Sequence, residues 1–169
     1  MKPVAIDIRD AVAPDCEPLA DLYGEAWRSA YRGILPALTL ERMIARRGPG
    51  WWQQAVSTRP GSVLVISFAD RIAGYASIGP ARMRIAGHRG EIYELYLKPE
   101  FQGVGLGAKL FVTARRRLDA CGRHGHVVWA LVENRPACAF YEAQQGRRAA
   151  TAKERLGDRT LDKIAYCWV

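Results

Sequence analysis

Apolar and polar positions along the chain change period several times, and each change marks an element. Residues 4–9 alternate apolar and charged side chains after Ile6, the period of a short half-buried strand. Over residues 17–31 Leu19, Leu22, Tyr23, Ala26, Trp27 and Ala30 recur at helical intervals, which predicts an amphipathic helix with Asp15 at its N-cap and an end near Gly33. A second helix is expected after Pro36, an interruption at residues 47–50, and a further short helix beginning at Trp51-Trp52. The run SVLVISF at residues 62–68 reads as a strand, residues 69–71 as a tight connection, and residues 72–78 as its hairpin partner, closed by Gly79-Pro80. Residues 82–90 are polar and glycine-containing, so a surface loop with a solvated His88 is expected there. Residues 91–97 form another strand, and 108–118 a helix with Leu110, Phe111, Ala114 and Leu118 on one face, stopped by Cys121-Gly122. Unbroken hydrophobicity over residues 126–132 suggests a strand buried on both sides. Asn134 and Pro136 then start a short helix that Gly146 ends, and residues 147–154 and 161–169 read as an antiparallel pair joined through Gly157-Asp158. The predicted order is strand, two or three helices, three strands, helix, strand, helix, two strands.

The pattern breaks most sharply within residues 91–109, EIYELYLKPEFQGVGLGAK, where a strand ends at Lys98-Pro99 and runs into three alternating glycines before a helix. A loop of this kind gathers unpaired amide N–H groups and the positive end of a helix dipole at one place, which favours an anion such as a phosphate.

Composition narrows the setting. A chain of 169 residues with 49% hydrophobic content fills one core, so a single domain over residues 1–169 is expected. The formal charge of +8 is spread in short clusters such as Arg46-Arg47, Arg115-Arg116-Arg117 and Arg147-Arg148, which reads as a solvated surface rather than a nucleic-acid interface. Cys16, Cys121, Cys138 and Cys167 form no CxxC pair, so no metal site or redox motif is expected and the thiols read as reduced. The first residues lack the design of a secretory leader and no apolar run approaches the length of a membrane span, so the expectation is a cytoplasmic protein with no membrane partner.

Two nucleotide-binding motifs compete for the glycines. No Gly-Lys-[Ser/Thr] is present, which removes the P-loop. Gly103, Gly105 and Ala108 satisfy G-x-G-x-x-[G/A], but residues 98–102 separate the strand from the first glycine and Glu133 lies too far on for a ribose-binding acid, so a dinucleotide fold fits poorly.

The pattern Gln102-x-x-Gly105-x-Gly107 between a strand and a helix resembles the coenzyme A signature of the GNAT superfamily of acyl-CoA N-acyltransferases. Asn134 at the end of the next strand and Phe140-Tyr141-Glu142 on the following helix stand where the family carries an asparagine and a tyrosine, and the segment 31–36 is similar to the loop after the first helix in many bacterial members. The resemblance spans nearly the whole chain and departs from the family at Gly146-Arg147, where Gly-Phe is usual. It implies an α/β (α+β) fold: a mixed, mainly antiparallel central sheet of about six to seven strands flanked by helices, with a splayed parallel strand pair. It also implies acetyl-CoA as co-substrate and no metal. Gln102, Gly103, Val104, Gly105, Leu106, Gly107 and Ala108 would hold the pyrophosphate, Leu95, Tyr96 and Leu97 would pair with the pantetheine arm, and Asn134 and Tyr141 would contact the coenzyme. Asn134 also reads as a helix cap, and the two roles coexist.

Amine acetylation requires a neutral amine, a stabilised oxyanion and a proton for the departing thiolate. Tyr141 is the candidate acid, since a phenol is uncharged at neutral pH and comparable in basicity to a thiolate. Glu91 and Glu94 are the candidate bases; strand alternation places them on opposite faces, so at most one serves a given pocket. Either glutamate also reads as structural, with water as the base. Trp27 and Tyr31, with Trp51 and Trp52, are candidates for the acceptor side, the paired tryptophans reading equally as core anchors. The implied reaction moves an acetyl group to a primary amine of a small molecule or a protein or peptide N-terminus by direct attack in a ternary complex. The alternative is a non-catalytic acyl-CoA-binding sensor or interaction module. Homodimerisation is left open.

Overall fold

The computed structural model describes residues 4–169; residues 1–3, on which part of the leader reading rests, lie outside it. The chain opens with strand Ile6–Asp10 (β1), then helices Cys16–Tyr31 (α1), Ala37–Ala45 (α2) and Pro49–Thr58 (α3). Strands Val63–Phe68 (β2), Arg71–Ile85 (β3) and His88–Leu97 (β4) follow, then helix Leu106–Ala120 (α4), strand His126–Leu131 (β5), helix Arg135–Ala143 (α5), and strands Arg147–Leu156 (β6) and Arg159–Trp168 (β7). The seven strands form one sheet in the order β1-β2-β3-β4-β5-β7-β6, antiparallel except where β4 meets β5.

The sheet is covered on both faces, and the two periodicities explain how. On one face Leu64, Ile66, Ala76, Ile78 and Ile92 pack against Leu110, Phe111, Ala114 and Leu118 of α4, with Tyr141 of α5. On the other, Val63, Val65 and Tyr75 meet the stripe Leu19, Leu22, Tyr23, Ala26, Trp27 and Tyr31 of α1, and Trp52 of α3. Alternate strand residues feed opposite layers while each helix presents one face, so one sequence fills two cores.

Three local readings are corrected. Asp15 occupies the N-cap position of α1, but its side chain makes no cap bond; its carboxylate accepts from the Arg9 guanidinium at 2.7 and 3.0 Å and from the Val12 amide at 2.8 Å, steadying a 3-10 turn before the helix. Gly79-Pro80 closes nothing, since β3 runs on to Ile85 and the turn falls at Ala86-Gly87, so most of the expected loop 82–90 belongs to the two arms of a hairpin. Gly79 is there for room: a Cβ would lie 2.4 Å from the Tyr93 hydroxyl, which donates to the Pro80 carbonyl at 2.6 Å. His88 is half-buried at that turn, its Nδ1 2.8 Å from the Ala86 carbonyl.

The third correction concerns β4. Glu91 pairs with Gly79, Ile92 with Ile78 and Glu94 with Ser77, so Tyr93 is an extra residue, a β-bulge. Because Gly79 and Ser77 are two apart on β3, Glu91 and Glu94 share a face instead of lying on opposite ones. A bulge also bends its strand. β4 and β5 are paired only at Gly90↔His126 and Glu91↔Val127, and beyond Tyr93 they diverge.

Candidate active site

The divergence of β4 and β5 opens a cleft of about 470 Å³ in the face that carries α1 and α3. Leu95 and Tyr96 line one wall and Val128 to Leu131 the other, with Asn134 and Tyr141 of α5, Glu94 of β4, and Trp27, Tyr31, Trp51 and Trp52 completing it. Seven of the residues singled out for the site therefore meet: Glu94, Leu95, Tyr96, Asn134, Tyr141, Trp27 and Tyr31. Glu91, Leu97 and the loop residues Gln102, Gly103, Val104, Gly105, Leu106, Gly107 and Ala108 do not line it; Leu97 packs in the α4 core.

The glycine loop lies past the C-terminal end of β4. Gln102 Nε2 donates to the Leu97 carbonyl at 3.2 Å and ties the loop to the strand end. Gly103 and Gly105 have φ of 77° and 85°, and nothing lies within 4 Å of a Cβ at either. Their need for glycine is conformational, because a left-handed φ disfavours any side chain. Gly105 caps α4, and the first bond of the helix runs from Lys109 N to Gly105 O at 3.2 Å, so the amides of Leu106, Gly107 and Ala108 are directed out of the helix N-terminus. That cradle fits an anion of phosphate type. Val104, at the loop tip, is exposed.

Asn134 caps α5, its Oδ1 accepting from Ala137 N at 3.3 Å, and is itself buried against the cleft. Tyr141 is 6% exposed, and burial pushes its phenol well above the ordinary value, with the neighbouring Tyr31 adding to the rise, so it holds its proton throughout the neutral range but is a weaker acid than the ordinary phenol whose match to a thiolate was expected. Tyr31 and Tyr96 share a hydrogen bond of 2.5 Å between their hydroxyls. Burial raises both phenols as well.

The two glutamates have different surroundings. Glu91 is 1% exposed and its oxygens receive the Arg82 amide at 2.8 Å and the Arg82 guanidinium at 3.1 and 2.6 Å. Such a carboxylate is fully engaged. Glu94 accepts Arg47 Nη1 at 2.6 Å and Ser77 Oγ at 3.3 Å, both on Oε1, while Oε2 is buried with no partner. A buried carboxylate oxygen without a donor is costly unless something else supplies the proton. The buried Tyr75 hydroxyl, also without a partner, is the neighbouring protein donor, and because Glu94 lines the cleft an arriving ammonium or amine N–H would satisfy Oε2 as well.

Arg47 was read from sequence as part of a solvated basic pair, and the structure places it in the site. Its guanidinium lies 4.8 Å from the Tyr23 ring centroid and 4.2 Å from that of Trp51, in addition to its bond to Glu94. Trp52 is fully buried and stacks edge-on against Tyr75 at 5.0 Å, so of the paired tryptophans one is the core anchor and the other the exposed wall. Arg59, Arg82, Trp129, Glu154 and Lys163 also line the cleft and were not anticipated. No local signal marks them, since they come from five separate elements or their ends.

A two-faced sheet whose single parallel pair splays beside a glycine-capped helix defines an acyl-coenzyme A transferase type of fold. A family model described as the acetyltransferase (GNAT) family matches residues 19–146, and the chain belongs to that family. It is 26% identical over 163 residues to YuaI, an uncharacterized N-acetyltransferase of Bacillus subtilis, covering 96% of this chain and 92% of that one. It is 28% identical over 138 residues to a spermidine N(1)-acetyltransferase of Thermoplasma acidophilum, covering 82% and 86%. In structure it resembles the PaiA N-acetyltransferase of Thermoplasma acidophilum in complex with coenzyme A, with a TM-score of 0.72 at 20% identity over 95% of this chain and 98% of that one. The fold is also that of yncA from Salmonella typhimurium with its cofactor acetyl-CoA, at a TM-score of 0.67 and 22% identity over 97% and 93%. Among the described residues no helix is long and apolar enough to cross a membrane, and no cluster of three or more His, Cys, Asp or Glu is placed to hold a metal ion.

Proposed function

We propose that the chain, acting as one domain, transfers an acetyl group from acetyl-CoA to a primary amine of a small molecule or of a peptide N-terminus in a ternary complex. The observation that carries this reading is the cleft between the parted strands, which is lined by Leu95, Tyr96, Asn134 and Tyr141 and holds a buried carboxylate oxygen of Glu94, on the same strand β4 whose C-terminal end leads into the glycine loop. The similar structures solved with coenzyme A or acetyl-CoA support the cofactor assignment.

Residues 102–108 would hold the pyrophosphate through backbone amides, with Gln102 fixing the loop and the left-handed glycines setting its path. Leu95, Tyr96 and Leu97 stand on the part of β4 that β5 has left, so their backbone groups are available to the pantetheine amides. When bound, acetyl-CoA supplies a thioester carbonyl. Glu94 Oε2 receives a proton from the amine, directly or through water, and Arg47, bonded to Oε1, fixes the orientation of the carboxylate. Tyr141 Oη carries the proton that the leaving sulfur needs. Trp27 and Tyr31 shape the acceptor side.

Isothermal titration with acetyl-CoA tests the cofactor, and thiol release over an amine panel separates a transferase from an acyl-CoA sensor. Tyr141→Phe should lower kcat about a hundredfold or more, the usual share of a general acid, while leaving acetyl-CoA affinity within a few-fold. Full turnover by that variant at saturating acetyl-CoA would remove Tyr141 from the role.

A further inference from the structure

The acceptor end of the cleft carries more positive than negative charge. Four cationic side chains line it, Arg47, Arg59, Arg82 and Lys163, against two carboxylates, Glu94 and Glu154. Pairing accounts for much of this. Arg47 donates to Glu94 at 2.6 Å, Lys163 to Glu154 at 2.5 Å, and Arg82 to Glu91, which sits behind the wall. Arg59, at the C-terminal end of α3, is exposed and pairs with no carboxylate of the described residues.

Arg82 is held rather than free. Its Nε and Nη2 both donate to Glu91 Oε1 and its guanidinium lies 4.3 Å from the centroid of the Tyr93 ring, which leaves Nη1 available. Its side chain is 62% exposed, so a group arriving from the cleft reaches it without displacing Glu91. Tyr93, on which Arg82 stacks, is the bulged residue next to Glu94, and Arg59 lines the same cleft as Arg82 and Glu94.

These cations are not placed for the phosphates of the coenzyme. Four residues of extended strand separate Tyr93 from Leu97, where the glycine loop is tied, a distance of about 13 Å. What remains for them is the acceptor.

We propose that the acceptor is a small amine bearing an oxyanion, a carboxylate or a phosphonate, which Arg59 and Arg82 bind while Glu94 takes the amino group. This rests on the transferase reading and narrows its substrate class. A linear polyamine would bring a second cation to a site that already has an unpaired one, and a peptide N-terminus would offer a neutral amide there. Guanidinium groups recognise carboxylate and phosphonate alike through paired N–H donors, so the shared chemistry is the oxyanion.

The test uses the full chain and matched acceptors: short amino acids, their primary amides, the corresponding aminoalkylphosphonates, and spermidine. Thiol release at saturating acetyl-CoA gives kcat/KM for each, and titration of the same compounds into protein saturated with coenzyme A gives binding apart from turnover. The expected result is a preference for an acid over its amide of roughly ten- to a hundredfold, carried by KM, as the loss of one charge-assisted hydrogen bond predicts. A larger rate with the carboxylates or with the phosphonates identifies which oxyanion the site takes. Arg59→Gln should collapse the acid-over-amide ratio toward one and Arg59→Lys should restore part of it, a readout that a purely structural role would not move. Amides or spermidine used as well as the acids by the wild type, or a ratio unchanged in Arg59→Gln, would overturn the proposal. Anion-dependent binding without thiol release from any amine would keep the oxyanion site and defeat the transferase reading instead.

Discussion

Glu94 and Glu91 have the same side chain on the same face of one strand, three positions apart, yet only one of them is chemically free. Glu91 is enclosed by three bonds from Arg82, whereas Glu94 gives Oε1 to Arg47 and Ser77 and keeps Oε2 unpartnered inside the cleft. Glu94→Gln retains the size and removes the proton acceptor, so kcat/KM should fall about a hundredfold while acetyl-CoA affinity stays within a few-fold. An unchanged kcat/KM in Glu94→Gln would assign the role to another group. The distinction was out of reach in the sequence, because Arg47 lies 47 residues away from Glu94 and the bulge at Tyr93 cancels the alternation on which the two glutamates were separated.

At the level of elements, what was legible depended on whether the signal is local. The α1 stripe, the Asn134 cap and the glycine-led start of α4 are all written within a few residues of where they act. Gly79-Pro80 misled for the opposite reason: its glycine serves the Tyr93 ring across the hairpin rather than a turn. The glycines of the cradle divide in the same way. Gly105 is left-handed, so Gly105→Ala should cost about 1 kcal/mol of stability through strain alone. Gly107 is helical and an added methyl would sit 3.4 Å from the Phe140 ring, an ordinary contact, so Gly107→Ala should leave stability unchanged or slightly raised. If the coenzyme approaches that amide closely, Gly107→Ala nevertheless weakens acetyl-CoA binding by several-fold. Denaturant unfolding and calorimetric titration of the two variants separate the effects, and unaltered affinity in Gly107→Ala would place the pyrophosphate elsewhere.

For the molecule as a whole, the closed end of the splay is also where three distant segments are pinned. His126 starts β5 and is 1% exposed; Arg115 of α4 donates to its Nδ1 at 3.0 Å, and Asp119 Oδ1 lies 2.9 Å from its Nε2. Arg115 also donates to the carbonyl of Val169 at 3.3 Å. Burial holds the imidazole below its ordinary value of 6.5, with Arg115 and His124 lowering it further against the opposing pull of Asp119. The folded protein thus binds fewer protons here than the unfolded chain just below pH 6.5, so stability falls as the pH drops from there toward the lowered value. Thermal unfolding between pH 7.5 and 5 should register this fall, and His126→Gln should flatten it. An equal slope in that variant would move the sensitivity to other groups.

Periodicity, glycine conformation and helix capping act between near neighbours, so the order of elements, the glycine loop before a helix and the Asn134 cap were legible in the sequence, while the class of fold and the candidate Tyr141 came from the family resemblance that those motifs carry. Only the tertiary structure decided which carboxylate faces the cleft, that Arg47 bonds to it, that Tyr31 and Tyr96 bond across 65 residues, and that Arg59 and Arg82 line the same cleft. Those facts depend on cross-strand register and on helices laid over the sheet. The bulged residue Tyr93, invisible in the pattern of side chains, brings Glu91 and Glu94 to one face, and β4 and β5 pair only as far as Glu91↔Val127, leaving the cleft beyond.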